Sequence, residues 1–174
     1  GGLDVLLNNA GYGLMGTFES ISRESILRQY QVNVFGLFDV TRAVLPHFRE
    51  KKTGTVINIS SVGGRITFPV TSMYHSTKFA VEGFSESLQY ELGPAGIAVK
   101  IVEPGGVETD FAGRSLDFQH DESLEPYNPV VGAVMKAFQS RTGSLDRSTP
   151  ESVADVIYGA ATDGTSQLRY VAGA

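Results

Sequence analysis

Three side chains of this sequence could together move a proton to or from a carbonyl compound: Ser61, Tyr74 and Lys78. Tyr74 and Lys78 are four residues apart in a segment with helical periodicity, so both side chains point the same way from one helical turn. A free phenol has a pKa of about 10, and a neighbouring ammonium group favours the phenolate. We therefore expect Lys78 to lower the pKa of Tyr74 towards neutrality, which would let Tyr74 act as a general acid or base on a ketone or alcohol.

Ser61 is placed to join this pair. It follows the β-branched run Val56–Ile59, which predicts a buried strand, and it precedes Tyr74 by thirteen residues. The connecting loop is long enough to bring the Ser61 hydroxyl back beside the phenol as a neutral hydrogen-bond donor. In open α/β sheets ligands bind where strands end, so the three residues predict a site for carbonyl or alcohol chemistry.

The competing interpretation is chance. A Tyr-x-x-x-Lys pair alone is a weak signal, because roughly 0.2 such pairs arise at random in a chain of this composition. The added requirement of a serine at a strand end makes the set moderately specific. The helix itself is predicted over 73–92, with an apolar stripe at Phe79, Phe84, Leu88 and Leu92.

Further landmarks surround these residues: Asn8-Asn9-Ala10-Gly11 closes a short apolar run, Asn33 lies inside a predicted helix, and Pro104-Gly105 is followed by Thr109. With them the chain resembles the short-chain dehydrogenase/reductase family over nearly its whole length. The resemblance implies an NAD(P)-dependent oxidoreductase that interconverts a ketone or aldehyde and an alcohol.

The resemblance also implies a role for each residue. Tyr74 is the general acid/base, Lys78 lowers its pKa and binds the nicotinamide ribose, Ser61 polarises the carbonyl, and Asn33 marks a helix kink that holds a proton-relay water. NAD or NADP is then the cofactor, and the sequence does not select between them. The implied cofactor contacts are Asn9, Ala10, Gly11, Tyr74, Lys78, Pro104, Gly105, Val107 and Thr109.

The order of predicted elements fits that family. A strand over 3–8 is followed by a helix from Ser22 to about Lys51, a strand over 55–60, the helix over 73–92 and a strand over 98–102. A last helix opens at Thr149-Pro150 and a short strand covers 168–171. The fold class predicted is α/β, the C-terminal portion of a doubly wound, parallel-sheet Rossmann domain, with residues 1–174 as one partial domain.

Residues 110–149 have the least regular pattern and carry many apolar side chains. Long irregular segments are commonly binding loops, so we expect a substrate loop here and a pocket for a bulky, apolar ketone or alcohol. Part of this apolar content could equally pack on the sheet. Together with the run Gly11–Gly16, the loop most resembles the hydroxysteroid and retinol dehydrogenase branch.

The Gly-rich phosphate-binding turn of the family has no counterpart before Leu3. We therefore expect this chain to be the C-terminal half to two-thirds of a family member and, taken alone, to bind NAD or NADP without useful affinity. The alternative function is a catalytically inactive fragment, or a non-catalytic binding or assembly module of the same fold.

Composition excludes several other functions. The net charge is −5, and acidic residues outnumber basic ones by 11 to 5 beyond residue 100, which argues against a nucleic-acid surface. There are no cysteines, and His47, His75 and His120 lack metal-ligand spacing, so no metal is expected. Without an apolar run of about 18 residues or a signal peptide, we expect no membrane span and a cytoplasmic location.

Two predicted helices have apolar residues on more than one face: Phe35 and Leu37 on the first, Val81 and Phe84 on the second. Because the family commonly associates through these helices, we expect a homo-oligomer, a dimer or tetramer.

Overall fold

A computed structural model of the chain describes residues 2–109, 111, 113–141 and 147–173. The strands are β1 (Val5–Asn8), β2 (Gly13–Gly16), β3 (Gly54–Ile59), β4 (Ile97–Pro104), β5 (Leu116–Gln119) and β6 (Arg169–Ala172). The α-helices are α1 (Arg23–Tyr30), α2 (Gly36–Lys51), α3 (Ser72–Leu92), α4 (Asn128–Arg141) and α5 (Pro150–Thr162).

Four strands form one parallel sheet in the order β1-β3-β4-β6, and β2 pairs with β5 in a separate parallel ribbon. The apolar runs and the strand-helix-strand order predict a parallel sheet but not the β2–β5 ribbon, and the predicted α/β fold class is confirmed. Since the four strands are parallel, their carboxyl ends lie at one edge of the sheet. The segments that follow β1, β3 and β4 all leave from that edge.

Helices cover both faces of the sheet. On one face, Phe48 of α2 packs with Val56 and Ile97. On the other, Val153 of α5 packs with Ile57 and Val102. Because neighbouring residues of β3 and β4 point to opposite faces, the two strands are buried on both sides, which explains their uninterrupted runs of Val and Ile.

A chain of side-chain amides, the half-buried Asn8 and the buried Asn58, fixes the register of β1 against β3. The Asn8 side-chain amide donates to Asn58 Oδ1 at 2.8 Å and to Thr41 Oγ1 at 2.9 Å. Asn58 in turn donates to Ser85 Oγ at 2.8 Å. A slip of either strand would leave these groups buried without partners, so the network holds β1, β3, α2 and α3 in one alignment.

The helix predicted from Ser22 to Lys51 is one helical run, but a π-helical turn at Gln31–Phe35 separates α1 from α2. Ser22 caps α1 as predicted, accepting from the Ser25 N–H at 3.2 Å. The π turn contains Asn33, where the resemblance implies a kink. A π turn contains one more residue than an α-helical turn, and such turns are frequent at functional sites.

The predicted apolar stripe of α3 needs correction. Val81 and Leu88 are the apolar residues that α3 buries, whereas Phe79 is 45% exposed. Phe84 instead packs against Phe38 of α2, with ring centroids 4.3 Å apart and the two rings tilted by 41°. The polar Ser85 takes a core position because the amide network needs its hydroxyl, and the pattern of apolar residues alone could not show this.

The prediction that 110–149 is irregular is wrong in part, because the segment contains β5 and α4. Helix α4 does carry a signal, apolar side chains at Val130, Val134 and Phe138, but Gly132 and the neighbouring prolines weaken its propensity. Strands β2 and β5 are four residues long and stabilise each other, so neither pattern is visible alone. Residues 110, 112 and 142–146 of the predicted loop lie outside the described residues.

The end of α5 is tied to the sheet by a polar cluster. The ammonium of the buried Lys100 pairs with the Asp163 carboxylate, whose other oxygen accepts from the Tyr170 hydroxyl at 2.6 Å. The hydrogen bond from Lys100, followed by that from Tyr170, holds the pKa of Asp163 well below its usual range. The carboxylate therefore joins β4, α5 and β6.

This cluster predicts a pH-dependent contribution to stability. When the pH falls below about 4, the unfolded chain binds a proton at residue 163 that the folded chain does not, so the free energy of unfolding decreases. We expect Asp163→Asn to be less stable than wild type at neutral pH and to lose less stability on acidification. Urea unfolding between pH 7 and 3 measures this, with Asp155→Asn on the exposed side of α5 as the control. Parallel pH profiles for wild type and Asp163→Asn would contradict it.

Candidate active site

Ser61 lies at the carboxyl edge of the sheet, directly after β3, where the chain turns into a short 3₁₀ segment at Val62–Gly64. Its Oγ accepts from the Gly63 N–H at 3.0 Å and lies 3.5 Å from the Pro104 carbonyl oxygen at the end of β4. The Ser61 hydroxyl also lies near enough to the Tyr74 phenol to lower its pKa. The predicted return of Ser61 to the phenol is therefore present.

Tyr74 and Lys78 project from the first turns of α3 towards the same edge. Lys78 is 7% exposed, and its ammonium donates to the Ile59 carbonyl at 2.9 Å. The Lys78 Nζ lies 5.8 Å from the centre of the Tyr74 ring. Ser61, Tyr74 and Lys78 are thus brought together by β3 and one face of α3.

The prediction that Lys78 lowers the pKa of Tyr74 is wrong for this structure. Burial raises the pKa of Tyr74, and the hydrogen bond from Ser61 only partly opposes the rise. The ammonium bonds the Ile59 carbonyl and lies over the ring, so the phenol oxygen gains little from it. Burial also lowers the pKa of Lys78 to about 8, opposed by the Glu82 carboxylate.

Asn33 reaches the site through its neighbours. Its amide donates to the Tyr12 carbonyl at 2.9 Å and to Thr77 Oγ1 at 3.1 Å, and its Oδ1 accepts from the Tyr12 N–H at 3.0 Å. The two bonds to Tyr12 fix the chain just after Gly11, and the bond to Thr77 ties the π turn to α3. A methyl group added to Gly11 would lie 3.4 Å from Asn33 Oδ1 and 3.7 Å from Lys78 Nζ, so this glycine keeps the space beside the ammonium open.

The other predicted cofactor contacts lie along the same edge. Asn9 and Ala10 are exposed where the chain leaves β1. Pro104 ends β4, and the Gly105 N–H donates to the Ala172 carbonyl at 3.0 Å.

Val107 and Thr109 lie farther along that loop and contact other residues. Val107 forms a parallel bridge with Ser148, and Thr109 Oγ1 accepts from the Phe111 N–H at 3.3 Å. The ring of Phe111 is 5.9 Å from that of Tyr74. The loop therefore approaches the site through Phe111, one of the apolar residues of the predicted substrate loop.

A pocket of about 620 Å³ opens beside Ser61 and Tyr74. Its walls are predominantly apolar and come from β2, the loop before α3, the segment after β4 and helix α4. The lining residues are Gly13, Leu14, Met15, Ser61, Gly63, Phe68, Pro69, Thr71, Tyr74, His75, Phe111, Leu116, Val130, Ala133, Val134, Ala137 and Phe138. Ser61 and Tyr74 thus present hydroxyl groups to a cavity of the size of a drug-like ligand.

Comparison with known proteins agrees with this geometry. Residues 1–119 match the family model described as short chain dehydrogenase. The chain belongs to the short-chain dehydrogenase family. The enzyme class predicted from the sequence, a short-chain NAD(P)-dependent dehydrogenase/reductase, is confirmed with it.

Individual members of the family resemble the chain closely. It is 44% identical over 161 residues to 3-ketodihydrosphingosine reductase of Bacteroides thetaiotaomicron, covering 90% of this chain and 59% of that protein. A short-chain dehydrogenase structure from Streptomyces avermitilis superposes with a TM-score of 0.84 at 36% identity, covering 99% and 61%. One from Sphingobium yanoikuyae, in complex with NADPH, gives 0.75 at 26% identity, covering 97% and 56%. The chain thus spans between 56% and 61% of the length of these three proteins.

This short-chain dehydrogenase has a further charged group at the site that the motif reading missed. Glu82 is 6% exposed, lies one helical turn beyond Lys78, and accepts from Arg169 Nε of β6 at 3.2 Å. Its carboxylate favours the charged form of the Lys78 amine. The four-residue spacing from Lys78 is a signal that could have identified it.

Two other kinds of site are not seen in the described ranges. No group of three or more His, Cys, Asp or Glu side chains there is placed to hold a metal ion. None of the described helices is both long and apolar enough to cross a membrane.

The position of Glu82 predicts the titration of Lys78. Glu82→Gln should lower the pKa of Lys78 further below its value of about 8, because burial then acts on the ammonium without an opposing carboxylate. Nitrogen NMR of the lysine side chain across the alkaline range measures this. Glu86→Gln is the matched control, since Glu86 also accepts from Arg169 but lies one turn farther from Lys78. An unchanged Lys78 titration in Glu82→Gln would contradict the assignment.

Proposed function

We propose that the chain carries the catalytic part of an oxidoreductase that interconverts a bulky, apolar ketone or aldehyde and the corresponding alcohol. One observation carries the proposal: Ser61 and Tyr74 line the same apolar pocket, and Lys78 lies immediately behind Tyr74. The arrangement offers a carbonyl oxygen two hydroxyl donors inside a cavity whose remaining walls are poor in polar groups.

In the reducing direction, Tyr74 gives its phenolic proton to the carbonyl oxygen as the alcohol forms. The raised pKa of Tyr74 suits this step, because the phenol is protonated over the whole neutral range. Ser61 donates a hydrogen bond to the same oxygen and stabilises the charge that develops there. In the oxidising direction the same phenol acts as the general base, so it must first lose its proton.

A nicotinamide dinucleotide, NAD or NADP, supplies or accepts the hydride when bound. The residues present fit its nicotinamide and ribose end. The Lys78 ammonium has three donors, of which the Ile59 carbonyl takes one, and the missing side chain of Gly11 leaves space beside it. Asn9, Val107 and Thr109 follow strands at the same edge, where a ribose and a carboxamide could be held. The relative in complex with NADPH supports this class of cofactor.

The substrate class rests on the pocket. Two apolar elements, β2 and α4, face the Ser61 and Tyr74 hydroxyls across about 620 Å³, which is far more than a small ketone needs. The relative of 44% identity is named for the reduction of a ketone. A steroid-like or retinol-like substrate would also fit this volume and polarity.

Three broader expectations belong to the same proposal. Residues 1–174 act as one partial Rossmann domain whose substrate loop is 110–149, and the protein acts in the cytoplasm. A homo-oligomer forms through α2, with the π turn before it, and through α3, because the π turn exposes Phe35, α2 exposes Val40 and α3 exposes Phe79. Sedimentation of the full-length protein at micromolar concentration tests the oligomer, and a monomer would contradict it.

Tyr74→Phe tests the proposed proton transfer. We expect ketone reduction by the full-length protein to fall by about a hundredfold or more, because the variant loses only the transferable proton. Tyr90→Phe, an exposed tyrosine on the same helix, is the control and should retain activity. Turnover of Tyr74→Phe within tenfold of wild type, at unchanged cofactor binding, would remove Tyr74 from the mechanism.

Ala133→Phe tests the substrate class, since Ala133 lines the pocket from α4. The added ring narrows the cavity, so we expect the KM for methyl decyl ketone to rise about tenfold and that for methyl ethyl ketone to stay nearly constant. Gly132→Ala is the matched control, because a methyl group there meets open space. If Ala133→Phe changed the KM for both ketones equally, the decyl chain would not lie beside Ala133 and the assignment of this pocket to the substrate would be contradicted.

A further inference from the structure

His75 is buried beside Tyr74, and the reaction described above makes no use of its ring. Its Nδ1 lies 2.7 Å from the Gly63 carbonyl oxygen, and its Nε2 lies 2.8 Å from the Phe68 N–H. Because a backbone N–H can only donate, Nε2 is the acceptor, and Nδ1 carries the ring proton and donates it to Gly63. The imidazole is thus neutral. Its Nδ1 is bonded to Gly63 in the short 3₁₀ segment, and its Nε2 is bonded to Phe68 in the loop that follows this segment.

That loop, residues 65–71, is here named the wall loop. Phe68, Pro69 and Thr71 of the wall loop line the substrate pocket, as does His75 itself. The ring of Phe68 lies 5.5 Å from that of His75. Two further bonds shape the loop: the Gly16 N–H donates to the Val70 carbonyl at 2.7 Å, and Thr71 Oγ1 donates to the Phe68 carbonyl at 2.8 Å.

The wall loop holds its shape against its own backbone preference. Val70 has a φ of 55°, in the left-handed region that β-branched residues avoid. Such a conformation persists only where the surroundings impose it. The close approach of the His75 ring to residue 63 requires a glycine there, since a Cβ on Gly63 would lie 2.8 Å from His75 Nδ1. The imidazole therefore anchors a strained loop to the helix that carries Tyr74.

We propose that His75 is a positioning residue that determines specificity, because its neutral imidazole holds the wall loop against α3 and so sets the width of the pocket beside Tyr74. The proposal rests on the proposed function for its substrate. A small ketone held by Ser61 and Tyr74 needs little of the wall loop, whereas a long apolar tail packs against Phe68 and Pro69. Loss of the anchor should weaken binding of the large substrate with little effect on the chemical step.

The test uses the full-length protein and four variants. In His75→Phe, which keeps the ring but loses both hydrogen bonds, the KM for methyl decyl ketone should rise about tenfold, with kcat within about threefold of wild type. The KM for methyl ethyl ketone should change less than about twofold. His75→Gln places an acceptor near the position of Nε2, so its KM for methyl decyl ketone should return most of the way to the wild-type value. His75→Asn keeps only the donor to Gly63 and should be intermediate.

Ser76→Ala is the matched control on the same helical turn, since the Ser76 hydroxyl bonds the Met73 carbonyl and the Tyr30 hydroxyl and not the wall loop. Hydrogen exchange of the Phe68 amide gives a readout that needs no substrate. Exchange should be faster than wild type in His75→Phe, and close to wild type in His75→Gln and Ser76→Ala.

Two results would overturn the proposal. The first is Phe68 amide exchange in His75→Phe as slow as in wild type. The second is a fall in kcat and a rise in KM that are equal for both ketones and are not reversed in His75→Gln. The second result would give His75 a general structural role. Absence of turnover in the wild-type protein would overturn the proposed function instead, and the Phe68 exchange rates would still decide whether His75 anchors the loop.

Discussion

The site depends first on the register between β1 and β3, which is fixed by the 2.8 Å hydrogen bond from the half-buried Asn8 amide to the buried Asn58. Parallel strands can slide without losing backbone hydrogen bonds, but a slip here would bury unpaired amides. The same network reaches Thr41 and Ser85, so it also aligns α2 and α3 with the strand ends. One set of hydrogen bonds therefore sets where Gly11 and Ser61 leave the sheet and where Lys78 meets them.

Burial then decides the electrostatics of the site. It raises the pKa of Tyr74 and lowers that of Lys78, so both groups favour their neutral forms. Ser61, which directly follows β3, opposes the rise in the pKa of Tyr74. Glu82, one helical turn beyond Lys78, opposes the fall in the pKa of Lys78. A protonated phenol beside an apolar pocket suits proton donation in the proposed reduction, whereas the proposed oxidation needs the phenolate. The two proposed directions therefore depend on different protonation states of Tyr74.

Much of this was predictable from local sequence. The spacing of Ser61, Tyr74 and Lys78 predicts their meeting because strand ends and helical turns have fixed geometry. Features that depend on the packed structure were harder to predict. The resemblance implies a kink at Asn33 but not its π-helical form, glycine and proline weaken the apolar signal of α4, and nothing in the sequence shows the pairing of β2 with β5. The direction of the Tyr74 pKa shift was mispredicted for the same reason. The four-residue spacing places the backbone of Lys78 but not its ammonium, which donates to the Ile59 carbonyl.

The central claim is that Ser61 and Tyr74 act on one carbonyl oxygen inside the apolar pocket. A crystal structure of the full-length protein with the oxidised nicotinamide cofactor and methyl decyl ketone tests it most directly. The account predicts the ketone oxygen within hydrogen-bonding distance, about 2.6–3.2 Å, of both Ser61 Oγ and the Tyr74 hydroxyl, with the decyl chain between α4 and the wall loop. A ketone whose oxygen contacts neither hydroxyl, or whose chain lies outside the pocket, would contradict it.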